Sequence, residues 1–367
     1  MNFIFSKALL LKEISVAQEI INTKNPVSII SNVLLATDEN KLIIKATDLK
    51  INFETSIPVN VIEHGVATIH CDKFASILNS IPDGDTEFEQ NDINITIKPI
   101  SKKIKFDLKC LNSENFPEIY TEDKCQYFDI PLKSFRQMIT ETSFAVSDDE
   151  TKYFLNGVLL EKKENSLVMV GTDGRRLAYI KKDMETPIPD FKSSIIHPKI
   201  LNLIVKRTTD EGPISIGINE KSIYFKFGMY KLSSLLIEGQ YPNYEKVIPE
   251  NNEYSFQVDK NDLYEALKRV SLLVEQKSRR IFLEVNPGNL IVQSETKDVG
   301  GAKEEIPCYY EGEPNVIAVN SKHLEEPLKF MTEERVKISF SDGMKAMILS
   351  PEPASDYFHV MMPMQKD

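Results

Sequence analysis

The residue types that could catalyse a reaction or hold a metal ion are scattered through this 367-residue chain. No nucleotide-binding glycine loop and no H-E-x-x-H motif occurs in the sequence. The histidines lack the spacing of metal ligands; they are His64, His70, His197, His323 and His359. The cysteines form no C-x-x-C pair, so we expect them to stay reduced; they are Cys71, Cys110, Cys125 and Cys308. We therefore predict no metal, no cofactor and no catalytic residue.

Two short segments look like chemical sites, but each lacks a feature that the chemistry needs. Residues 83–85 begin like a calcium loop, yet an EF-hand loop requires glycine and glutamate where this chain has Phe88 and Asn94. Residues 171–176 combine glycine and arginine as an anion site would, but a predicted strand follows them, and not a helix N-terminus. An enzyme that uses Asp173 and Arg176 remains an alternative, and it predicts a turnover that is lost in Asp173→Asn.

The composition indicates a soluble protein of two or three domains. The 44 basic and 55 acidic residues give a net charge of −11, which argues against a nucleic-acid partner. No apolar run is long enough to span a bilayer, and the N-terminal residues lack a signal-peptide pattern. We expect a cytoplasmic protein with no membrane partner.

The elements that must position any site recur three times along the chain. Helical patterns open at Ser6, Pro131 and Asp259. A second set, each a short strand followed by a helix, opens at Ile69, Ile196 and Val319. An alternating hairpin pattern follows each of these second helices.

Two further matches fix the length of the repeat. Thr47-Asp48 recurs at Thr172, and the aromatic-proline pair at Phe116 recurs at Tyr241, each about 125 residues later. We predict an α+β protein of three tandem similar domains, 1–124, 125–250 and 251–367, each with two helices packed on antiparallel sheets. A repeated fold without a shared task is the alternative.

Five short motifs carry a resemblance to a known family. They read TDGRRLA from Thr172, YFLNGV from Tyr153, YPNY from Tyr241, VMMPM from Val360 and IPDG from Ile81. In their order along the chain, from Ile81 to Val360, they resemble motifs of the bacterial beta sliding clamp, a subunit of DNA polymerase III. The resemblance implies the DNA-clamp fold.

The family resemblance implies a homodimer of three-domain subunits, joined head to tail into a ring around duplex DNA. Twelve packed helices would give a hole roughly 35 Å across at the helix axes, which admits a duplex. Such a processivity factor is not an enzyme, and it tethers the DNA polymerase III alpha subunit, the clamp loader and other replication and repair proteins. The rival is a three-domain scaffold that never encircles DNA and stays monomeric.

The resemblance also implies a hydrophobic pocket for a short Leu- and Phe-containing partner segment. Its expected lining is Leu155, Thr172, Gly174, Arg175, Arg176, Leu177, Pro242, Lys246, Val247, Val360, Met362, Pro363 and Met364. Arg175 and Lys246 depart from the His and Arg that other members often carry. The alternative for Met362 and Met364 is a terminal strand packed into its own core.

Charged helix faces and two apolar edges complete the implied sites. The expected DNA-facing residues are Lys24, Lys73, Arg136, Tyr153, Lys199, Lys206, Arg207, Lys268 and Arg269. A sparse basic lining would reconcile DNA binding with the negative net charge, because affinity depends on the phosphates neutralised locally; solvated helix faces are the alternative. The expected dimer contact joins Phe106 and Leu108 to Leu272 and Leu273, which could otherwise be ordinary core.

Overall fold

The computed structural model describes residues 1–21, 29–119, 125–296, 300–342 and 344–365. Within these residues the α-helices are α1 (Lys7–Ile20), α2 (Cys71–Ser80), α3 (Leu132–Thr140), α4 (Pro198–Arg207), α5 (Lys260–Val270) and α6 (Ser321–Leu328). Each predicted helical pattern corresponds to one of them. None of the helices in the described ranges is long and apolar enough to cross a membrane.

The strands follow a similar order around each pair of helices, and the first repeat has one more strand between its helices than the other two. The first repeat contains β1 (Asn2–Ser6), β2 (Asn32–Asp38), β3 (Lys41–Thr47), β4 (Ile51–Pro58), β5 (Asn60–Glu63), β6 (Val66–His70), β7 (Asp85–Asn91), β8 (Asn94–Pro99) and β9 (Phe106–Lys109). The second contains β10 (Tyr127–Pro131), β11 (Val158–Lys163), β12 (Ser166–Thr172), β13 (Arg176–Asp183), β14 (Ser194–Ile196), β15 (Pro213–Ile218), β16 (Ser222–Phe227) and β17 (Tyr230–Leu235). The third contains β18 (Tyr254–Asp259), β19 (Arg280–Asn286), β20 (Asn289–Thr296), β21 (Gly300–Tyr309), β22 (Asn315–Asn320), β23 (Arg335–Phe340), β24 (Met347–Glu352) and β25 (Tyr357–Met361).

The described fold packs into two compact units. One comprises Met1–Ile130 and Pro213–Leu235, and the other comprises Pro131–Gly212 and Leu236–Asp367. The second repeat is therefore divided between the units. The domain boundaries predicted from the sequence follow the repeat along the chain and stay a prediction.

The first unit contains two antiparallel sheets with α1 and α2. The strand orders are β5-β1-β7-β8-β9 and β10-β15-β16-β17-β4-β3-β2-β6. Helix α1 buries Leu10, Ile14 and Ala17, whose spacing places them on one face, and it packs against α2 and against β3 and β4. The apolar spacing that predicted a helix from the sequence is thus the face that meets the sheet.

The second unit contains one twelve-stranded sheet and two helix pairs. The strand order is β14-β11-β12-β13-β25-β24-β23-β18-β21-β20-β19-β22. Helix α3 packs against α4, and α5 packs against α6. The central pairing is antiparallel between β13 and β25, with Leu177 opposite Val360. This pairing carries the end of the chain to the TDGRRLA motif.

Strands pair across repeat boundaries in the same way in both units. In the first unit, β17 of the second repeat pairs with β4 of the first, with Leu232 opposite Phe53. In the second unit, β25 of the third repeat pairs with β13 of the second. Each time, the last strand of one repeat joins the third strand that follows the first helix of the preceding repeat.

Candidate peptide-binding site

The loop from Thr172 to Arg176 is held in shape by its own side chains. Asp173 Oδ1 accepts hydrogen bonds from the backbone amides of Arg175 at 2.8 Å and Arg176 at 3.1 Å. Thr172 Oγ1 accepts from the Gly174 amide at 3.1 Å and donates to the Arg176 carbonyl. Gly174 has φ +88°, a conformation that favours glycine. The TDGRR motif therefore encodes a rigid turn at the start of β13.

The Arg176 side chain is only 5% exposed and is fixed by partners on every side. Its Nε lies 3.0 Å from Asp173 Oδ2, its Nη1 pairs with the Glu326 carboxylate of α6, and its Nη2 donates to the Phe144 carbonyl at 2.8 Å. The guanidinium also lies 5.6 Å from the centre of the Phe144 ring. A buried charge is tolerated because these partners satisfy it.

His323, in the first turn of α6, lies beside this network. Its Nε2 is 3.9 Å from Asp173 Oδ2. Burial, and then the positive charge of Arg176, lower the pKa of His323 to about 4. The imidazole is therefore neutral near pH 7 and adds no charge to the site. The sequence offered no signal for His323 or Glu326, because both lie far along the chain from the turn.

An apolar recess opens where β13, β25 and the segment 241–247 meet. Leu177 and Val360 are buried at its floor, while Val247 is 51% and Met362 45% exposed at its rim. The recess has a volume of about 410 Å³. Its lining comprises Thr172, Gly174, Arg175, Arg176, Leu177, Pro242, Asn243, Tyr244, Val247, Val360 and Met362. Its size and apolar floor suit a few hydrophobic side chains of a ligand.

The structure brings most of the residues predicted for the pocket to this recess. Leu155 is buried, and its Cδ1 lies 4.0 Å from where a Cβ on Gly174 would stand, so it supports the turn. Lys246 is exposed and is not part of the lining. Pro363 and Met364 lie outside the lining, because the Met364 amide donates to the Ala318 carbonyl at 2.7 Å and draws the end of the chain towards β22.

Two lining residues, Asn243 and Tyr244, were missing from the prediction. Both belong to the YPNY motif, of which the predicted pocket includes only the proline. The alternative of a core position for Met362 does not fit its exposure. Met361 is the methionine that packs inward, at 1% exposed, and Met362 follows it on the open face and donates its amide to the Arg175 carbonyl at 3.0 Å.

The residues predicted to face DNA differ in how far their charges are neutralised within the protein. Arg136 Nε lies 2.9 Å from Asp210 Oδ1, and its Nη1 donates to the Val205 and Thr208 carbonyls at the end of α4. The exposed Arg269 forms a two-point pair with Glu304, at 2.8 Å and 2.6 Å.

Lys268 Nζ lies 3.0 Å from Glu265 Oε1. Lys73, Tyr153 and Lys206 are exposed, and Lys199 and Arg207 are partly exposed. Lys24 lies outside the described residues.

The residues predicted for the dimer contact lie at surface positions. Phe106 and Leu108 are half-buried on β9, the last strand of the five-stranded sheet. Leu272 is 79% exposed and Leu273 is partly buried, just beyond α5. None of the four is fully buried, which distinguishes them from ordinary core residues.

Comparison with known proteins identifies the family. Three domain models of the DNA polymerase III beta subunit match this chain. The N-terminal domain model matches residues 1–120, the central domain model residues 129–243 and the C-terminal domain model residues 245–365. The chain belongs to the beta sliding clamp family. Over the full length of both chains, it is 45% identical to the beta sliding clamp of Treponema pallidum and 30% identical to that of Pseudomonas putida.

Solved sliding clamps share the fold over the whole chain. The Bartonella birtlesii clamp bound to griselimycin superimposes with a TM-score of 0.94 at 26% identity, with 100% of both chains covered. The Pseudomonas aeruginosa clamp bound to griselimycin gives 0.94 at 27% identity, with 100% of this chain and 99% of that chain covered. The predicted α+β class and three tandem clamp domains are confirmed.

Membership of the clamp family also decides the question of catalysis. The sliding clamp is a processivity factor in DNA replication and not an enzyme, so the predicted absence of catalysis is confirmed. Asp173 and Arg176, the residues of the enzyme alternative, use their polar groups to build the turn and to bind α6. Across the part of the chain that the structure describes, no cluster of His, Cys, Asp and Glu is arranged to hold a metal ion.

Proposed function

We propose that two copies of this chain join head to tail into a ring around duplex DNA, and that the recess beside Arg176 holds a short Leu- and Phe-containing segment of partner proteins. The observation that carries the proposal is the cross-repeat strand pairing, which forms the recess and leaves two strand edges for a second copy. The partners would include the DNA polymerase III alpha subunit, the clamp loader and other replication and repair proteins. The expected location is the cytoplasm, and the domains are those of the threefold repeat.

The strand order supports the head-to-tail contact. In the pairings of β17 with β4 and of β25 with β13, the last strand of a repeat joins the third strand after the first helix of the preceding repeat. The corresponding strands that remain are β9, the last strand of the first repeat, and β21, the third strand after the first helix of the third repeat. Among the described pairings, β9 contacts only β8, and β21 contacts β20 along its length but β18 only at Cys308 and Tyr309. Pairing of β9 with β21 of a second copy would complete the series and cover both edges. Two such contacts close a ring instead of extending a filament.

The recess supports binding of a partner segment through its shape and chemistry. Two apolar side chains that become buried on Leu177 and Val360 contribute about 1.5 to 3 kcal/mol each. Micromolar binding requires about 8 kcal/mol, so hydrogen bonds to the peptide backbone must add to this. The rigid turn at Gly174 allows the close approach that such bonds need, because no side chain projects there.

Topological binding to DNA is tested by loading the protein, with the clamp loader of the same organism, onto nicked circular duplex. We expect protein to be retained on the circle after gel filtration and to be released when the circle is cut once. Retention after linearisation would indicate an ordinary DNA-binding protein. Monomers that are never retained would indicate the scaffold alternative.

The partner pocket is tested separately with Met362→Asp, because Met362 is exposed and its replacement should leave the fold intact. We expect a labelled peptide with the Leu/Phe motif to bind at least tenfold more weakly, measured by fluorescence anisotropy. The matched control is Met229→Asp, at an exposed position on the β16–β17 turn. Equal losses in the two variants would show that the recess is not the peptide site.

A further inference from the structure

A second cavity lies against the other side of the segment that walls the apolar recess. It has a volume of about 530 Å³. Its lining consists of Leu159, Glu161, Lys163, Ser193, Ile195 and the continuous segment 239–245. All these residues belong to the unit that contains the recess.

Pro242, Asn243 and Tyr244 border both cavities. The Tyr244 ring is buried in the apolar cluster with Leu177 and Val360, whereas its hydroxyl donates to Glu161. Pro242 and Asn243 are exposed, so they form an open crest between the two cavities. A ligand chain that fills the recess would therefore meet the second cavity on crossing this crest.

The two cavities differ in chemistry. The recess has an apolar floor, while the second cavity contains the carboxylates of Glu161 and Glu245 and the ammonium of Lys163. Lys163 Nζ pairs with Glu245 and lies 3.4 Å from Glu161 Oε1. Two carboxylates against one ammonium leave the cavity with a net negative charge at neutral pH.

Glu161 is placed to accept a further hydrogen bond. Within the described residues, its contacts with Tyr244 and Lys163 are both made through Oε1, which leaves Oε2 for a ligand. Burial, and then the hydrogen bond to Glu161, raise the pKa of the Tyr244 phenol, so this hydroxyl remains a donor near pH 7. A cationic donor would therefore match the cavity, and an anionic group would not.

We propose that the second cavity binds a lysine or arginine that flanks the Leu/Phe motif of a partner protein. The inference rests on the proposed peptide-binding function of the recess and adds a specificity determinant to it. Because Pro242 and Asn243 border both cavities, the residues that flank the bound motif lie next to the second cavity. Its excess of carboxylates over ammonium groups favours a positively charged flanking side chain. Glu161 is the principal recognition residue, and Lys163 competes with the incoming cation.

The test uses two labelled peptides that share one Leu/Phe motif, with flanks of either Gly-Ser or Lys-Arg residues at both ends. For the unmodified protein, we expect the basic peptide to bind about 5 to 20 times more tightly in fluorescence anisotropy. Glu161→Gln should reduce this advantage, the ratio of the two affinities in one protein, to less than twofold. Lys163→Gln should increase the advantage at least twofold.

The matched control is Glu164→Gln, which makes the same charge change in the β11–β12 turn, outside the cavity lining. It should leave the advantage of the basic flank unchanged. An equal advantage in the unmodified protein, Glu161→Gln and Glu164→Gln would overturn the inference and indicate attraction by the overall charge of −11. Absence of binding by the Gly-Ser peptide would instead show that the proposed function of the recess is wrong.

Discussion

At the scale of single residues, the partner recess depends on charges beneath its surface. Arg176 lines the recess with part of its side chain, but its guanidinium is directed to Asp173, Glu326 and the Phe144 carbonyl. Removal of one partner leaves a buried charge less well compensated. The shape of an apolar site is thus maintained by polar residues that no ligand needs to touch.

Glu326→Gln should weaken peptide binding about fivefold and lower the free energy of unfolding by about 1 to 3 kcal/mol, because Arg176 loses a charged partner. Peptide anisotropy and thermal unfolding would measure the two effects. The control is Glu325→Gln, one residue earlier on α6, where Glu325 pairs at 2.8 Å with Lys329, a cation that is exposed whereas Arg176 is buried. That change should cost less than about 1 kcal/mol. Indistinguishable variants would show that Arg176 does not depend on Glu326.

At the scale of elements, the end of α3 contains a carboxyl that burial keeps from ionising freely. Glu141 directly follows α3 and is buried, with Gln137 Nε2 at 3.0 Å from its Oε1. Burial raises the pKa of this carboxyl to about 7. A negative charge at a helix C-terminus is unfavourable as well.

The pH dependence follows from the sign of this pKa shift. Because the folded-state pKa of Glu141 lies above the unfolded value near 4.5, its protonation stabilises the fold below pH 4.5, and this contribution is lost as the pH rises to about 7. Glu141→Gln should therefore be more stable than the unmodified protein at pH 8, by about 1 to 3 kcal/mol. The difference should shrink towards pH 5 in denaturant titrations at both pH values. A gain that does not change with pH would contradict ionisation of Glu141 as the cause.

At the scale of the whole molecule, the proposed dimer depends on apolar side chains that a single copy leaves exposed. Leu272→Asp should convert the dimer to monomers with little change in thermal stability, because the side chain is 79% exposed. Sedimentation velocity would give the mass of each form. Leu9→Asp, at another exposed position, is the control and should stay dimeric. A Leu272→Asp protein that remains dimeric would place the contact elsewhere.

The proposed DNA interface is limited by acidic residues of the same chain. Glu304 pairs with Arg269 through two hydrogen bonds, so a phosphate must displace a carboxylate to reach that arginine. Glu304→Gln should tighten binding to short duplexes a few-fold at low salt and steepen the dependence of log K on log salt by about one phosphate contact per copy. Glu253→Gln, exposed and of equal charge change, should have a smaller effect. Equal effects would mean that only net charge matters.

Much of this fold and part of its site could be predicted from local sequence. The spacing of Leu10, Ile14 and Ala17 defines a helix face, and Thr172, Asp173 and Gly174 define a turn through hydrogen bonds only a few residues apart. Such features depend on neighbouring residues, so the sequence alone contains them. The threefold order of helices and hairpins follows for the same reason.

Tertiary structure decided which strands meet and which side chains pair at long range. Alternation at the end of β25 indicates that Met361 and the following residue, Met362, point to opposite sides. Only the pairing of β25 with β13 determines that Met361 is buried and Met362 borders the recess. The contact between Arg176 and Glu326 likewise could not be predicted from neighbouring residues. A charged residue on a helix is expected at the surface unless its buried partner is known. Periodicity specifies the face that a residue occupies, whereas the partner of that face is set by long-range packing of the complete chain.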